Sequence, residues 1–345
     1  MLGSLRRSPD AALGQTGQPS VRPTFLIVTP VFNGRTFLDE TILSVVTQAG
    51  PFSSRYHVQD GGSSDGTLDL LERWSERLSG DFPIVCNDIE FSYASAVDGG
   101  LYDAVNKGFG RMGDGDFMSW INADDRYQQG AFASVAQIFQ KFSDVRWIAS
   151  RPAFMSEAGA QGELLDLRSF PQKAIAAAIF DGRFSPLFLQ QEGMFWRSSL
   201  WRSVGGLNGA MRLAGDFDLW RRFAQHSDLV MTDAVLALFR FREGQLSTSI
   251  EKYQKEIDDV LGPDEMARRI EAAEAFRAAV TPEAAREAGF VCRVAKNLVP
   301  AGGWQLVKLQ ERPALEKQLA EFKQSRWTKL GGLLRLTKLR AHLQE

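Results

Sequence analysis

The stretch FMSWINADD, from Phe117 to Asp125, decides the fold because a largely apolar run ends there in a polar and acidic cluster. Such a run is typical of a buried β-strand. The adjacent carboxylates of Asp124 and Asp125 repel each other unless a cation or a hydrogen-bond donor lies between them. A divalent ion with oxygen ligands would relieve that repulsion and neutralise charge on a diphosphate leaving group. The alternative is a helix cap by either carboxylate near Gln129, and the stretch alone favours neither interpretation.

On both sides of this stretch, short apolar runs alternate with segments of helical spacing. The predicted strands are 25–28, 56–59, 83–86, 117–121 and 145–149, and the predicted helices between them are 36–48, 68–78, 101–112 and 131–142. This alternation predicts an α/β fold, a Rossmann-like and mostly parallel sheet flanked by helices. Ligands bind beyond the carboxyl ends of the strands in such sheets. The polar clusters that follow Val28, Gln59 and Ile121 are therefore expected at one edge.

The chain divides into three parts by composition. Residues 1–23 are rich in Gly, Pro, Ser and Gln and predict a flexible leader, residues 24–250 hold the strand and helix alternation, and residues 251–345 predict a helical C-terminal extension. Residues 323–340 carry six basic residues and no acidic one, interleaved with Leu and Trp. This basic amphipathic tail is a candidate for peripheral contact with anionic lipid. The alternative is a solvated helix packed on the domain formed by residues 24–250.

Composition excludes several classes of protein. A net charge of -2 over 345 residues offers no general attraction for nucleic acid. Two cysteines and three histidines exclude a disulfide framework and a zinc site rich in Cys or His, so any metal is expected to be a hard cation held by carboxylates. No apolar run approaches the roughly 20 residues that span a bilayer, and the N-terminus does not resemble a signal peptide. The expected location is the cytoplasm, including the inner face of the membrane if the tail binds there.

Three further segments carry candidate chemistry, each with a structural alternative. Asp60 opens the glycine-containing loop DGGSSDGT, where it can bind a base or ribose or simply form a capped turn. Asp103 and Asn106 share one face of a predicted helix, which lines a cleft or faces solvent. Asp216 precedes an aromatic helix stripe and is a candidate general base or a helix cap. Neither a dinucleotide fingerprint nor a P-loop is present.

The segments occur in an order that resembles family-2 glycosyltransferases with the GT-A fold, of the type found in bacterial polysaccharide and lipopolysaccharide biosynthesis. The matching pieces are VTPVFN at 28–33, DGGSSDGT at 60–67, GLYDAVNKG at 100–108, INADD at 121–125, and QE at 191–192 with GDFDLW at 215–220. They cover roughly residues 24–250. Each piece is weak alone, and their shared order is the specific signal.

The resemblance implies an inverting glycosyltransferase of the hexosyltransferase type, with Asp216 as the catalytic base. It implies a UDP- or GDP-sugar donor, a glycan or lipid-linked glycan acceptor, and Mn²⁺ or Mg²⁺ held by Asp124 and Asp125. Gln191, Glu192 and Trp196 are the candidate acceptor residues. The implied nucleotide-sugar-binding residues are Thr29, Pro30, Asn33, Asp60, Asp103, Asn106, Asn122 and Asp124.

The sequence departs from the family pattern at several positions. Asn122 replaces the first acid of the DxD motif, which implies weaker metal affinity, Gly61 replaces the second acid of its motif, and Gly215 replaces the Glu of the ED pair. The QxxRW motif of processive synthases is absent, since QSRW at 324–327 is one residue short, so a single addition is expected. The alternatives are a non-catalytic GT-A-like protein that binds nucleotide sugars and, more remotely, a nucleotidyltransferase that releases pyrophosphate.

Overall fold

The computed structural model describes residues 3–7, 22–162, 164–167, 170–242, 245, 249–296 and 299–300. The basic tail predicted at 323–340 lies outside these residues. In the described part of the chain, no helix combines the length and the apolar character needed to cross a bilayer.

Strands and helices alternate through most of the described chain. The strands are β1 Gly3–Arg7, β2 Thr24–Val31, β3 Gly50–Asp60, β4 Cys86–Ser95, β5 Phe117–Trp120, β6 Arg126–Tyr127, β7 Trp147–Ala149, β8 Phe154–Met155, β9 Phe195–Arg197, β10 Val230–Thr232, β11 Ala237–Arg240, β12 Arg293–Lys296 and β13 Val299–Pro300. The helices are α1 Leu38–Val46, α2 Thr67–Ser79, α3 Leu101–Arg111, α4 Ala131–Lys141, α5 Gln172–Ala176, α6 Ser198–Val204, α7 Gly215–Ala224, α8 Ile250–Leu261, α9 Pro263–Ala278 and α10 Pro282–Glu287.

A large sheet with the order β1-β4-β3-β2-β5-β9-β7-β10-β12-β13 organises the fold. Strands β4, β3, β2 and β5 are mutually parallel, while β9 runs antiparallel to both β5 and β7. A smaller sheet has the order β6-β11-β8. The predicted α/β class with a mostly parallel sheet is confirmed.

Both faces of the large sheet are buried, and β2 shows why. Its side chains alternate between two core clusters, with Phe25 and Ile27 on one face and Leu26 and Val28 on the other. A strand covered on both faces reads as a continuous apolar run, which is why the sequence predicts this strand well.

Strand β4 differs from the prediction because its pattern is different. An apolar run suggested a strand at 83–86, whereas the structure has β4 at Cys86–Ser95, with buried and half-buried residues intermixed. Polar residues such as Asp88 and Glu90 occupy the more open positions. A strand with one open face lacks the continuous apolar run that marks a fully buried one.

Both ends of the chain add strands that were not predicted. Strand β1 pairs antiparallel with β4 within the stretch expected to be a flexible leader. Residues 251–345 were expected to be helical, and α8, α9 and α10 agree, but β12 corrects this because it pairs in parallel with β10 of the large sheet. The extension therefore contributes to the main sheet.

A buried ion pair fastens the extension to the part of the chain that precedes it. Arg269 of α9 and Asp181 have side chains 2% and 0% exposed, and a guanidinium nitrogen of Arg269 bonds to the Asp181 carboxylate. Arg269 also donates to the carbonyl of Ala178 at 3.0 Å and to Asp258 of α8 at 3.1 Å. Arg183 lies 3.7 Å from Asp181. Because the buried carboxylate depends on these donors, removing one partner is costly.

We expect Arg269→Met to lower the free energy of unfolding by about 3 kcal/mol, since a buried carboxylate loses its main partner. Arg268→Met is the matched control, because the Arg268 side chain is 78% exposed and surface changes usually stay within about 0.5 kcal/mol. Urea unfolding of both variants measures the difference. Equal midpoints for the two variants would show that the buried pair does not fasten α9.

Candidate active site

The carboxyl ends of four parallel strands meet at one edge of the large sheet. Val31 at the end of β2 pairs with Asp60 at the end of β3, and Asp60 pairs with Ser95 at the end of β4. The amide of Ile121, just after β5, donates to the carbonyl of Val28 at 3.0 Å. The polar clusters predicted at strand ends therefore lie side by side.

Asp60 is fully buried and shapes its own loop. Its Oδ2 accepts the backbone N–H groups of Gly62 and Ser63 at 3.0 Å and the Ser95 hydroxyl at 2.5 Å, while the Ser63 hydroxyl donates to Oδ1. Three of these donors meet Oδ2 and only the Ser63 hydroxyl meets Oδ1. Because each carboxylate oxygen offers about two acceptor sites, Oδ1 keeps one site for a further donor such as a nucleobase N–H.

The loop that follows β2 is joined to the Asp60 loop through Asn33. Asn33 has a left-handed backbone with φ of 51°, a conformation that Asn tolerates better than most residues. Its N–H donates to the Ser63 hydroxyl at 2.7 Å, and its Oδ1 accepts the N–H of Ser64 at 3.0 Å. The two loops thus form one wall of the site.

Thr29 and Pro30 do not offer side chains to the open edge. Both are buried in β2, and the Thr29 hydroxyl lies 3.0 Å from the Tyr56 hydroxyl inside the core. A contact of Thr29 or Pro30 with the sugar donor therefore stays a prediction, and it would have to use backbone atoms of β2.

The polar face of α3 supports neighbouring loops. Both amide atoms of Asn106 bond to the backbone of Leu207, at 2.8 and 3.1 Å. Asp103 accepts the N–H of Gly99 at 2.6 Å and pairs with Lys107 at 2.7 Å, and this lysine lowers the pKa of the Asp103 carboxyl. Asp103 and Asn106, both predicted to bind the nucleotide sugar, are thus hydrogen-bonded to neighbouring backbone groups of the protein.

Asp125 is paired with Glu192 in the interior. Asp125 is 1% exposed, its Oδ1 accepts the N–H of Arg240 at 2.8 Å, and its carboxyl group hydrogen-bonds to that of Glu192. Burial raises the pKa of both carboxyl groups, and two buried carboxyl groups in contact are expected to share a proton. A role of Asp125 as a metal ligand stays a prediction, and in this arrangement its Oδ1 already accepts a backbone N–H.

Asp124 faces the open side and meets two arginines of the β11 segment. The Nε of Arg242 lies 2.5 Å from Asp124 Oδ2, and the Nε of Arg240 donates to the Asp124 carbonyl at 2.6 Å. Arg240 is fully buried and also bonds to Glu40 at 2.7 Å. The sequence reasoning missed both arginines, although their alternation with phenylalanine in FRFR at 239–242 was an available signal.

The described residues provide part of a metal site. Among them, no group of three His, Cys, Asp or Glu side chains is arranged to hold an ion. Asn122 Oδ1 is nevertheless buried without a hydrogen-bond partner, while its Nδ2 lies 3.3 Å from both Asp125 and Gln191. Mg²⁺ is usually bound by one or two carboxylates together with substrate phosphates. Asp124 and the unpaired Asn122 oxygen fit that kind of site.

Asp216 lies in the first turn of α7 and contacts Tyr102 of α3. The Tyr102 hydroxyl is 3.1 Å from Asp216 Oδ1 and donates to the carbonyl of Leu213 at 2.8 Å. Burial raises the pKa of Asp216 to about 6. The negative charges of Asp216 and Asp124 both contribute to raising the pKa of Glu192, in addition to the larger effect of burial. Tyr102 was not singled out from the sequence.

The three predicted acceptor residues lie in different surroundings. Gln191 is 6% exposed and donates to the carbonyl of Trp120 at 2.6 Å, and Glu192 is 8% exposed beside Asp125. Trp196 is fully buried, with its ring 5.5 Å from that of Trp120 and 5.7 Å from that of Trp220. The assignment of Trp196 to the acceptor side is corrected, because it is a core residue of β9.

Comparisons with known proteins find similarity to glycosyltransferases. Residues 26–178 match the family model described as glycosyl transferase family 2. An uncharacterized glycosyltransferase of Rickettsia typhi is 23% identical over 250 residues, which are 69% of this chain and 71% of that protein. The minor teichoic acid biosynthesis protein GgaB of Bacillus subtilis is 27% identical over 139 residues, which are 40% of this chain and 14% of that protein.

A solved structure shows the same fold. Residues 1–349 of S. aureus TarS in complex with UDP-GlcNAc superimpose with a TM-score of 0.50 at 15% identity, over 77% of this chain and 78% of that one. This likeness supports the GT-A architecture.

Proposed function

Because residues 26–178 belong to glycosyltransferase family 2 and the chain has the GT-A fold, we propose that this glycosyltransferase inverts the anomeric carbon while moving a sugar to an acceptor hydroxyl. The observation that carries the proposal is the position of Asp216. Its carboxyl lies buried in the first turn of α7, 3.1 Å from the Tyr102 hydroxyl, and burial raises its pKa to about 6. A raised pKa near the working pH is what a general base requires.

The reaction is a single displacement. Asp216 takes the proton of the acceptor hydroxyl, whose oxygen forms a bond to the sugar C1. The bond from C1 to the diphosphate oxygen breaks on the opposite face, and its electron pair leaves with the nucleoside diphosphate. Because attack and departure occur on opposite faces, the configuration at C1 inverts.

A divalent cation, Mn²⁺ or Mg²⁺, fits the donor set of Asp124 and Asn122. When bound, it supplies charge stabilisation for the departing diphosphate. Two contacts within the chain fix the position of Asp124 in this site. Arg240 fixes the backbone of Asp124, and Asp125 anchors the same turn through the N–H of Arg240. Asp124 is therefore the principal metal ligand of the proposal.

The proposed sugar donor is a UDP- or GDP-sugar. Of the two, a UDP-sugar is the preferred candidate, because the TarS structure contains UDP-GlcNAc. The proposed acceptor is a glycan or lipid-linked glycan, supported by the name of the teichoic acid relative. We further propose that residues 24–250 carry catalysis, with 251–345 as a supporting extension.

Nucleoside diphosphates with a metal provide the direct test. We expect UDP or GDP with Mn²⁺ or Mg²⁺ to raise the melting temperature, because a ligand at 100 times its Kd stabilises the folded state by about 2.7 kcal/mol. Thermal-shift assays with each nucleotide, with and without EDTA, measure the effect. A nucleotide that stabilises the protein is then supplied as its sugar derivative, and release of the diphosphate is followed.

Two results would contradict the proposal. The donor class would be wrong if no nucleoside diphosphate shifted the melting temperature with either metal while the protein remained folded. Tight binding without transfer to any acceptor in a broad screen would favour a nucleotide-sugar-binding protein. Nucleoside monophosphates at equal concentration are the control for unspecific anion binding.

A further inference from the structure

Helix α7, which carries Asp216, receives no cap from its own N-terminal residue. The N-cap is Ala214, whose side chain has no hydrogen-bonding atom. The backbone N–H groups of the three residues that precede the helix, 212–214, also need acceptors, because backbone donors away from water are almost always hydrogen-bonded.

A carboxylate from another helix takes this role. The N–H of Arg212 donates to Glu256 Oε1 at 2.6 Å, and the N–H groups of Leu213 and Ala214 donate to Oε2 at 2.8 and 2.7 Å. Glu256 lies on α8, 42 residues after Ala214. A negative group at this position is also favourable to the helix dipole.

Helix α8, which carries Glu256, is itself held in place by packing and by polar contacts. Ile257, next to Glu256, is 1% exposed in the core. Gln254 donates to the carbonyl of Asp181 at 3.2 Å, and Asp258 pairs with Arg183 and Arg269 at 3.1 Å each. The position of the Glu256 carboxylate therefore follows from the packing of α8 on the catalytic region.

We propose that Glu256 is a positioning residue that sets the place and orientation of Asp216 for proton transfer. The segment 212–214 is held from one side by Glu256 and from the other by Tyr102, which donates to the Leu213 carbonyl. Asp216 follows two residues later. This inference rests on the proposed role of Asp216 as the base, and it assigns part of the catalytic geometry to the extension beyond residue 250.

The charge of Glu256 also affects the pKa of Asp216, which provides a second way to detect its role. Tyr102 of α3, Tyr253 and Glu256 of α8, and Glu192 ahead of β9 all interact with Asp216. Of these, the negative charge of Glu256 raises the pKa of Asp216, in addition to the larger effect of burial. Asp216 accepts a proton only when it is ionised, so kcat falls as the pH drops through this pKa. Without the charge of Glu256, that fall moves to lower pH.

Glu256→Gln tests the proposal through kcat, KM and the pH profile of kcat. We expect kcat at the optimum to fall roughly 10- to 100-fold, as displaced catalytic groups commonly cause, with the KM for the donor nearly unchanged. The acidic limb of the profile, which is the range in which kcat falls as the pH drops, shifts to lower pH. Glu251→Gln is the matched control, because Glu251 is an exposed carboxylate of the same helix, and it should retain both kcat and the acidic limb.

Glu256→Asp separates geometry from charge. The shorter side chain cannot reach all three N–H groups, so kcat falls, while the acidic limb stays close to that of the unaltered protein. If Glu256→Gln fails to fold, the Glu256→Asp variant is the test, and an unaltered kcat in that variant would overturn the proposal.

Two results with a folded Glu256→Gln protein would also overturn it. The first is an unaltered kcat with an unaltered pH profile, and the second is a lower melting temperature with no shift in the pH at which kcat falls. Asp216→Asn is assayed in parallel, because turnover retained there would refute the base assignment, whereas an inactive Asp216→Asn beside an unaffected Glu256→Gln would refute only the role of Glu256.

Discussion

Asp216→Asn should lower kcat/KM by about 10³-fold, within the range of 10²- to 10⁴-fold that general base catalysis contributes. The amide is nearly the same size as the carboxylate and keeps an oxygen for the Tyr102 hydroxyl, which lies 3.1 Å from Asp216 Oδ1. It cannot take up the proton of the acceptor hydroxyl. The fold and donor binding should therefore persist while transfer is lost.

Steady-state kinetics and calorimetric titration with the nucleoside diphosphate measure the two quantities separately. Asp218→Asn is the control on the same helix, because Asp218 pairs with Arg222 at 2.8 Å and serves packing. Asp218→Asn should cost some stability but little kcat. If Asp216→Asn keeps its turnover, the base lies elsewhere, and Glu192 becomes the next candidate because burial raises its pKa as well.

Asp124→Ala should reduce transfer by at least about 10³-fold and remove metal-dependent donor binding. A metal that stabilises a departing diphosphate contributes several kcal/mol, and each 1.36 kcal/mol is a factor of about ten in rate. Asn122 alone would remain of the proposed protein ligands. Arg242 would also lose the carboxylate that it contacts at 2.5 Å.

Titration of Mn²⁺ in the presence of the nucleoside diphosphate, followed by paramagnetic resonance, tests the metal directly and independently of turnover. Glu157→Ala is the matched control, because Glu157 is exposed and contributes only its backbone carbonyl to Arg240, at 2.6 Å. Unchanged Mn²⁺ binding and an unchanged rate in Asp124→Ala would refute the metal assignment.

The sequence predicted those parts of the fold that are encoded locally. Apolar runs marked β2 and β5 because both faces of these strands are buried, and helical spacing marked α3 and α4 within one residue of their observed ends. Strand β12 was missed, because four residues beginning with Arg293 carry no apolar run of their own. It becomes a strand through pairing with β10.

The sequence could not predict which of the two adjacent aspartates, Asp124 or Asp125, is buried in the protein interior. Asp124 and Asp125 are neighbours with the same chemistry, and only the fold decides which one turns inward. Asp125 is selected by the N–H of Arg240, which lies 115 positions away in sequence. The contact of Tyr102 with Asp216 spans 114 positions. Local patterns locate the strand ends, but contacts of this range appear only when the whole sheet is assembled.

Strand β12 also has a consequence for how the protein avoids self-association. It covers the side of β10 that faces away from β7, so a chain ending at residue 250 would leave a row of unpaired backbone groups along β10. Such an open edge is a template for pairing with another molecule. The extension thus covers a strand edge that would otherwise be open to intermolecular strand pairing.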